Sequence, residues 1–155
     1  MSNSPTIHAS AVLVGAKAVL IRGPSGAGKS TLAWALIAAA GPNGPLTFAR
    51  LVADDRAFVE AKAGRLLVRP APELAGLIEI RGLGIRMTTY EMAAVVGLVV
   101  DLAASDAARL PAREAETTVI SGVSLPRLAV APGAQALPLV LAVLKTEAGT
   151  TSEAD

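Results

Sequence analysis

The chain contains no cysteine among its 155 residues. Disulfide bonds, zinc–thiolate sites and thiol catalysis are therefore excluded, and the sequence fits a reducing compartment such as the cytoplasm. Its first ten residues lack the charged-then-apolar pattern of a secretory signal. The longest apolar run, Ala93–Val100, is far shorter than the roughly 20 residues that a membrane-spanning helix needs. We expect a cytoplasmic protein with no membrane partner.

Aromatic residues and net charge are also scarce. Aromatics make up 3% of the chain, and the net charge of +1 comes without any basic run. Proteins that bind single-stranded nucleic acid usually need aromatic stacking platforms, and those that bind duplexes carry a basic patch. We therefore expect no nucleic-acid partner.

The hydrophobic residues, at 52% of the chain, fall in short runs separated by turn residues. Such runs predict strands, namely Ile7–Leu13, Ala18–Arg22, Arg50–Ala53, Leu77–Ile80, Leu98–Leu102, a hairpin at residues 57–68 and short strands within Val119–Val130. Helices are predicted from Lys29 to Ala40 and over Leu137–Lys145, with a short one capped by Thr88 or Thr89. Ala103–Glu116 is predicted to be a loop.

Many strands with few helices indicate an α/β fold, with α+β as the alternative, built on a mixed β-sheet. The length indicates one domain, expected over residues 1–150. Residues 151–155 are expected to form a disordered tail.

The strongest motif is a glycine-rich loop between a predicted strand and a predicted helix. It has the pattern Gly-x-x-x-x-Gly-Lys-Ser, and with the next residue it comprises Gly23, Pro24, Ser25, Gly26, Ala27, Gly28, Lys29, Ser30 and Thr31. Glycines let the backbone approach phosphates closely, and the helix N-terminus adds partial positive charge. Lys29 can reach the β- and γ-phosphates, and the Ser30 hydroxyl can bind Mg²⁺. The motif predicts that ATP and Mg²⁺ bind here.

Two adjacent acids, Asp54 and Asp55, follow the predicted strand at Arg50–Ala53. One carboxylate can hold the magnesium ion, and the other can accept a proton from a hydroxyl nucleophile. A solvated turn is the alternative for such a pair.

The sequence alone leaves the roles of Glu79, His8 and Arg109 open. Glu79 interrupts an apolar strand, so it is either a ligand or an exposed residue that pairs with Arg81 on the same face. His8 is the single histidine and Arg109 lies in a predicted loop.

Five segments, taken in this order, resemble the catalytic domain of HPr kinase/phosphorylase. They are residues 7–12, 20–30, 51–55, 76–85 and 99–102, within a likeness that extends from about His8 to Val130. The segment Ile-Glu-Ile-Arg-Gly-Leu-Gly at residues 78–84 is the most specific of them. The resemblance implies a P-loop fold shared with phosphoenolpyruvate carboxykinase.

The resemblance also implies an activity and roles for single residues. The family uses ATP to phosphorylate a serine of HPr, a phosphocarrier protein, and can reverse this by attacking phosphoserine with inorganic phosphate. The implied catalytic residues are His8, Lys29, Asp54, Asp55 and Arg109, with Asp55 favoured as the base. The implied metal ligands are Ser30, Asp54 and Glu79.

Two departures from the family pattern bear on the reverse reaction and on the partner. The basic residues of a late family loop that serves dephosphorylation are missing near residues 130–135. The predicted helix Leu137–Lys145 is nearly all apolar where the family has a basic helix that grips HPr. The chain resembles short family members that consist of the catalytic part. The resemblance further implies a homo-oligomer, a hexamer or a trimer.

Two other functions fit a phosphate-binding loop. A small-molecule P-loop kinase usually carries an arginine-rich lid, and the sequence shows no such cluster. A non-catalytic nucleotide-binding regulator would have lost the lysine or the acids, and all of them are present. A kinase that phosphorylates an HPr-like phosphocarrier is therefore the leading hypothesis.

Overall fold

The computed structural model describes residues 6–149. These residues form eleven strands, two α-helices and two short 3-10 turns. The strands are Thr6–Ile7 (β1), Ala9–Val14 (β2), Lys17–Arg22 (β3), Ala49–Ala53 (β4), Ala57–Lys62 (β5), Arg65–Pro70 (β6), Leu77–Ile80 (β7), Gly84–Met87 (β8), Ala94–Asp101 (β9), Thr117–Ile120 (β10) and Val123–Ala129 (β11). The helices are Lys29–Ala38 (α1) and Ala136–Lys145 (α2).

Nine of the strands form one mixed sheet, as the sequence predicts. Its main path runs β1-β5-β6-β9-β3-β2-β4, while β11 pairs with β9 and carries β10 on its other side. Strand β9 is parallel to both β3 and β11 but antiparallel to β6, which it meets only at its first residues. The three parallel strands therefore end together, at the edge of the sheet where β3 leads into the glycine-rich loop.

The core lies on both faces of this sheet because the strands alternate their apolar side chains. In β3, Val19 and Ile21 pack on the face covered by α1, and Ala18 and Leu20 pack on the opposite face. All four side chains are buried, which explains why β3 reads as a continuous apolar run.

Helix α1 begins directly after Gly28 and ends near Ala39. It packs its buried residues Leu32, Ala33 and Leu36 against β2, β3, β4 and β7. Helix α2 contacts α1 and buries Val140. Both helices begin and end within two residues of their predicted bounds.

Several predicted elements differ in the structure. The predicted strand Ile7–Leu13 is interrupted at His8. The predicted short helix after Thr88 or Thr89 is wrong: this segment is not helical, and Tyr90 instead forms an isolated bridge with Leu51. Tertiary pairing with β4 outweighs the local capping pattern there. The predicted tail at 151–155 lies outside the described residues.

The predicted strand Leu77–Ile80 is the first strand of a hairpin, whose second strand, β8, was not predicted. All four residues of β8 are exposed, so the strand lacks the alternation of buried and exposed residues that predicts strands. Within the predicted loop 103–116, Arg113–Glu116 form a 3-10 turn. Over the described part of the chain, no helix is long and apolar enough to span a membrane.

Candidate active site

The glycine-rich loop joins β3 to α1, in the strand–loop–helix context that the motif requires. Gly26 and Gly28 adopt φ of 83° and 100°, the left-handed region that disfavours other residues. A Cβ on Gly23 would stand 3.1 Å from the Cβ of Leu102, so this position has little room for a side chain. The loop ends on the first turn of α1, whose N–H groups have no acceptor within the helix. An anion can bind these donors.

Lys29 is 7% exposed and lies under the loop. Its Nζ donates to the carbonyl oxygens of Gly23 and Pro24, at 2.9 and 3.3 Å. The same nitrogen lies 3.9 Å from Asp55 Oδ1. The ammonium group is thus held at the loop before any phosphate binds.

Asp54 is the point at which four segments of the site meet. Its Oδ1 accepts hydrogen bonds from Ser30 Oγ at 2.6 Å and from Ser10 Oγ at 2.9 Å. Its Oδ2 accepts a bond from the backbone N–H of Glu79 at 3.0 Å. One carboxylate therefore joins α1, β2, β4 and β7, which is the arrangement expected of a residue whose position must be precise.

The side of the sheet that Asp54 faces depends on an irregularity in β4. The pairing of β2 with β4 skips Val52, since Ala11 is opposite Ala53 and Val12 is opposite Leu51. Leu51 packs on the α1 face, whereas both Val52 and Ala53 pack on the other face. Strict alternation from Leu51 would point Asp54 away from α1. The extra residue, Val52, therefore places Asp54 on the α1 face of the sheet, where Ser30 lies.

Asp55 is exposed and has a φ of 65°, a left-handed conformation that Asp and Asn tolerate better than most residues. Its backbone N–H donates to Ser10 Oγ at 3.1 Å. Ser10 therefore bonds to both members of the acidic pair and orients them differently. Asp54 turns toward Ser30, and Asp55 stays open to the cavity near Lys29.

A cavity of about 500 Å³ lies between the loop, α1 and the β7–β8 hairpin. This volume is within the range of small-molecule sites. It is lined by Ser25, Gly26, Gly28, Lys29, Ser30, Thr31, Asp55, Glu79, Ile80, Arg81, Gly82 and Gly84. The hairpin turn thus faces the glycine-rich loop across an open space.

Of the predicted metal ligands, Ser30 and Glu79 line this cavity, and Asp54 accepts a hydrogen bond from Ser30 beside it. Among residues 6–149, no group of three or more His, Asp or Glu side chains is arranged to hold a metal without other ligands. Mg²⁺ needs no such group, because it is usually bound by one or two carboxylates together with substrate phosphates and water. The Ser30 hydroxyl and the Asp54 carboxylate, already adjacent, are oxygen donors that fit it.

A second charged cluster lies beside the loop, at the ends of the parallel strands. Arg22 donates to Asp101 from Nε at 2.7 Å and from Nη2 at 2.9 Å. Arg127 Nε donates to the same carboxylate at 2.6 Å, and its two Nη atoms donate to Asp106 at 2.7 and 3.0 Å. We call these four residues the arginine–aspartate cluster. It ties β3, β9 and β11 to the segment that follows β9.

The electrostatics of this cluster shift the pKa values of Asp101, Asp106 and Arg127. Burial would raise the pKa of Asp101, but the hydrogen bonds from Arg22 and Arg127 outweigh it and hold that pKa below the ordinary value. The hydrogen bond from Arg127 likewise lowers the pKa of Asp106. In return, the bonds to Asp106 and Asp101 raise the pKa of Arg127. Both carboxylates therefore stay ionised at neutral pH.

The predicted site residues differ in their position relative to the cavity. Lys29, Ser30, Asp55 and Glu79 line the cavity with most of the loop, and Asp54 bonds to Ser30 beside it. His8 is exposed at the bend between β1 and β2, and Arg109 is exposed in the segment after β9. Neither is among the residues that line the cavity, so their roles stay predictions.

Neither Ser10 nor the arginine–aspartate cluster was predicted from the sequence. Ser10 is a buried polar residue in an apolar strand, a signal that burial reveals but the local pattern does not. The cluster joins residues separated by 21 to 79 positions. No short motif marks such pairs.

Comparison with known proteins points to one family. The family model described as the HPr serine kinase C-terminal domain matches residues 1–147. Among solved structures, that of the HPr(Ser) kinase/phosphatase from Coxiella burnetii is similar, with a TM-score of 0.70 and 24% identity. The match covers 91% of this chain and 94% of that one, and it indicates a shared fold. No curated protein matches the chain.

Proposed function

The chain belongs to the HPr serine kinase C-terminal domain family, and we propose that it transfers the γ-phosphate of ATP, in the presence of Mg²⁺, to a serine of an HPr-like phosphocarrier. Family membership makes it a protein-serine kinase of the HPr kinase type. The proposal extends this to the nucleotide, the metal and the residues of the site.

One observation carries the proposal most directly. Asp54 bonds to Ser30, while the adjacent Asp55 remains open to the cavity, 3.9 Å from the buried ammonium of Lys29. The two acids therefore have different contacts, although they are neighbours in sequence, and this supports different roles for them. One suits the metal, and the other suits a proton from the incoming hydroxyl.

Lys29, the loop N–H groups and the first turn of α1 would hold the triphosphate. Ser30 and Asp54 would hold Mg²⁺, with Glu79 available as a second carboxylate, and the ion would neutralise charge between the β- and γ-phosphates. These residues would orient the nucleotide before transfer. Orientation and charge stabilisation supply most of the catalysis in phosphoryl transfer.

The transfer itself exchanges one P–O bond for another. The serine oxygen of the carrier attacks the γ-phosphorus, and the bond from that phosphorus to the β–γ bridging oxygen breaks. The bridging oxygen leaves with the electron pair, as part of ADP. The proton of the serine hydroxyl passes to the Asp55 carboxylate.

We extend the proposal to the reverse reaction, in which an oxygen of inorganic phosphate attacks the phosphorus of phosphoserine. The bond from that phosphorus to the serine oxygen breaks, and pyrophosphate is formed. Asp55 would then return its proton to the serine oxygen. His8 and Arg109 are proposed to assist by their match to the family pattern alone. Self-association into a trimer or hexamer is likewise proposed from the family.

A transfer assay tests the proposal. Wild-type protein, γ-labelled ATP, Mg²⁺ and purified HPr-type phosphocarriers should give a labelled serine on at least one carrier, and chelation of Mg²⁺ should abolish the label. A Lys29→Ala variant should bind ATP at least about tenfold more weakly, since it loses the buried ammonium. Lys62→Ala, on the distant β5–β6 turn, is the matched control.

Other outcomes point to other functions. Labelling of a metabolite without any carrier would indicate a small-molecule kinase. ATP binding without transfer to any acceptor would indicate a nucleotide-binding regulator. Either result would overturn the proposed substrate.

A further inference from the structure

Arg127, on strand β11, donates hydrogen bonds to three separate parts of the chain. Its Nε bonds to Asp101, at the end of β9, at 2.6 Å. Its Nη1 and Nη2 bond to Asp106 at 2.7 and 3.0 Å, and Nη1 also bonds to the backbone carbonyl of Ala115 at 3.0 Å. The Arg127 side chain is 14% exposed. One guanidinium group therefore holds the end of β9 and two points of the segment that follows it.

The segment between those two points, residues 106–115, depends on its ends for its position. Residues 102–112 form no helix or strand, and every residue from 108 to 114 is exposed. A segment with little buried surface and few hydrogen bonds is held only weakly by its own contacts. Arg127 bonds to both of its ends with one planar group. We call residues 106–115 the Arg109 segment, since they include Arg109.

The chain that leads into the Arg109 segment lies against the glycine-rich loop. The N–H of Leu102 donates to the carbonyl of Arg22, the residue before Gly23, at 2.9 Å. Leu102 also fills the space beside Gly23, where a Cβ would stand 3.1 Å from the Cβ of Leu102. The start of the glycine-rich loop is therefore in direct contact with the residue that follows β9.

Asp101 joins these two parts through its side chain. Its carboxylate accepts two bonds from Arg22, at 2.7 and 2.9 Å, and one from Arg127. The Asp101 side chain is 17% exposed, and bonds between charged partners are stronger than those between neutral ones. Arg22 leads into the glycine-rich loop, whereas Arg127 holds the Arg109 segment. The shared carboxylate therefore sets the segment in one arrangement relative to the loop.

We propose that Arg127 is a positioning residue for phosphotransfer. It holds the Arg109 segment at both ends and, through Asp101, sets that segment against the glycine-rich loop. The inference rests on the proposed function, in which Arg109 assists transfer. Arg127 does not line the cavity and acts through the segment. Because a misplacement of about 1 Å can cost about 100-fold in rate, a small movement of the segment would slow transfer.

Amide hydrogen exchange, measured by NMR on the full chain without ligand, tests the positioning. The N–H groups of Ala107 and Ala115 each donate to the carbonyl three residues earlier, so they report on the Arg109 segment. The N–H of Ala27 does the same within the glycine-rich loop. Exchange at these amides shows which part of the chain each variant loosens.

The three members of the bridge should differ in what they loosen. Arg127→Gln should speed exchange at the segment reporters by at least about tenfold and leave Ala27 within about threefold, because Arg22 still pairs with Asp101. Arg22→Gln should have the opposite pattern. Asp101→Asn should speed exchange at both places, because both arginines lose their shared charged acceptor.

Kinetics test whether the position of the segment matters for transfer. Arg127→Gln should lower kcat for carrier phosphorylation by at least about tenfold, while the Kd of MgATP changes by less than about threefold. Arg127→Lys should recover part of kcat, because it keeps the charge but cannot bond to three acceptors at once. With Arg109→Ala added to Arg127→Gln, kcat should stay within about threefold of Arg109→Ala alone, because both changes remove one contribution.

Gly97→Ala is the control for a general loss of stability. Gly97 lies on β9, four residues before Asp101, and a Cβ there would stand 2.8 Å from the Cβ of Lys17. This variant should therefore be less stable without touching the cluster. Well below its melting temperature, its reporter exchange and its kcat should stay within about threefold of wild type.

Four results would overturn the inference. They are unchanged exchange at Ala107 and Ala115 in Arg127→Gln, a kcat of that variant within a few-fold of wild type, kcat losses that multiply in the double variant, or equal effects in Gly97→Ala. The exchange measurement needs neither ATP nor a carrier. If wild type labels no carrier, the proposed function fails, whereas faster exchange confined to the Arg109 segment still supports the positioning by Arg127 and unchanged exchange refutes it.

Discussion

Ser30 and Asp54 are joined by a hydrogen bond of 2.6 Å from the Ser30 hydroxyl to Asp54 Oδ1. The bond connects the first turn of α1 with the end of β4, across 24 positions of sequence. A divalent cation that binds both oxygens would replace the shared proton as the link between them. We propose that the pair holds the metal ion, and this proposal leads to the first prediction.

Replacing Ser30 by Ala should weaken the response of the enzyme to Mg²⁺. The variant loses one oxygen donor, so the Mg²⁺ concentration that gives half-maximal transfer should rise at least about tenfold. Titration of Mg²⁺ at saturating ATP measures this. Ser30→Thr keeps the hydroxyl and should stay within about threefold of wild type. An unchanged Mg²⁺ response in Ser30→Ala would remove Ser30 from the metal site.

Replacing Asp55 by Asn should abolish transfer without loss of nucleotide binding. Asn tolerates the φ of 65° at this position, so the backbone is kept while the proton acceptor is removed. We expect kcat to fall by about 10² to 10⁴ and the Kd of ATP to change by only a few-fold. Single-turnover transfer and equilibrium binding measure the two effects. Near-normal transfer would refute the role of Asp55 as base.

Replacing Asp101 by Asn should destabilise the fold and change its dependence on pH. The pKa of Asp101 is lowered in the folded state, so its contribution to stability is present above the unfolded pKa of about 3.9 and is lost as pH falls through the folded value. At pH 7 the variant should lose about 1 to 3 kcal/mol of unfolding free energy, because two arginines lose their shared charged acceptor.

Urea unfolding between pH 7 and pH 3 checks this prediction. The two proteins should differ most at neutral pH and converge at the acid end of the series. Asp106→Asn, with its side chain 51% exposed, should have the smaller effect. A constant difference between wild type and Asp101→Asn at every pH would show that the Asp101 charge is not the cause.

Replacing Gly97 by Ala should destabilise the pairing of β3 with β9. The pairing skips Gly97, since Ala18 is opposite Val96 and Val19 is opposite Leu98. A Cβ at Gly97 would stand 2.8 Å from the Cβ of Lys17, so one of the strands must shift. We expect a loss of about 1 to 3 kcal/mol in unfolding free energy, measured by thermal or urea unfolding.

Gly149→Ala is the control for this substitution. A Cβ at Gly149 would meet no atom within 4 Å. The unfolding free energy of Gly149→Ala should therefore stay within about 0.5 kcal/mol of wild type. Equal stability of Gly97→Ala and Gly149→Ala would mean that the irregularity in β9 accommodates a side chain.

The local sequence pattern was enough to predict part of the fold. The strand–loop–helix unit around Lys29 and the hairpin of β5 and β6 agree with the sequence reading, because glycine position and apolar spacing act over a few neighbouring residues. Strand β8 was not predicted, because it has no buried face. The helix predicted near Tyr90 is wrong, because Tyr90 pairs with Leu51, which is 39 residues away.

The sequence by itself was enough to predict the glycine-rich loop, the acidic pair and the family, because each is carried by short contiguous segments. Only the tertiary structure decided how these parts meet. The skipped residue Val52 turns Asp54 toward Ser30, and the hairpin brings Arg81 to the cavity. Register and long-range hydrogen bonds depend on the packing of the whole sheet, so no short stretch of sequence specifies them.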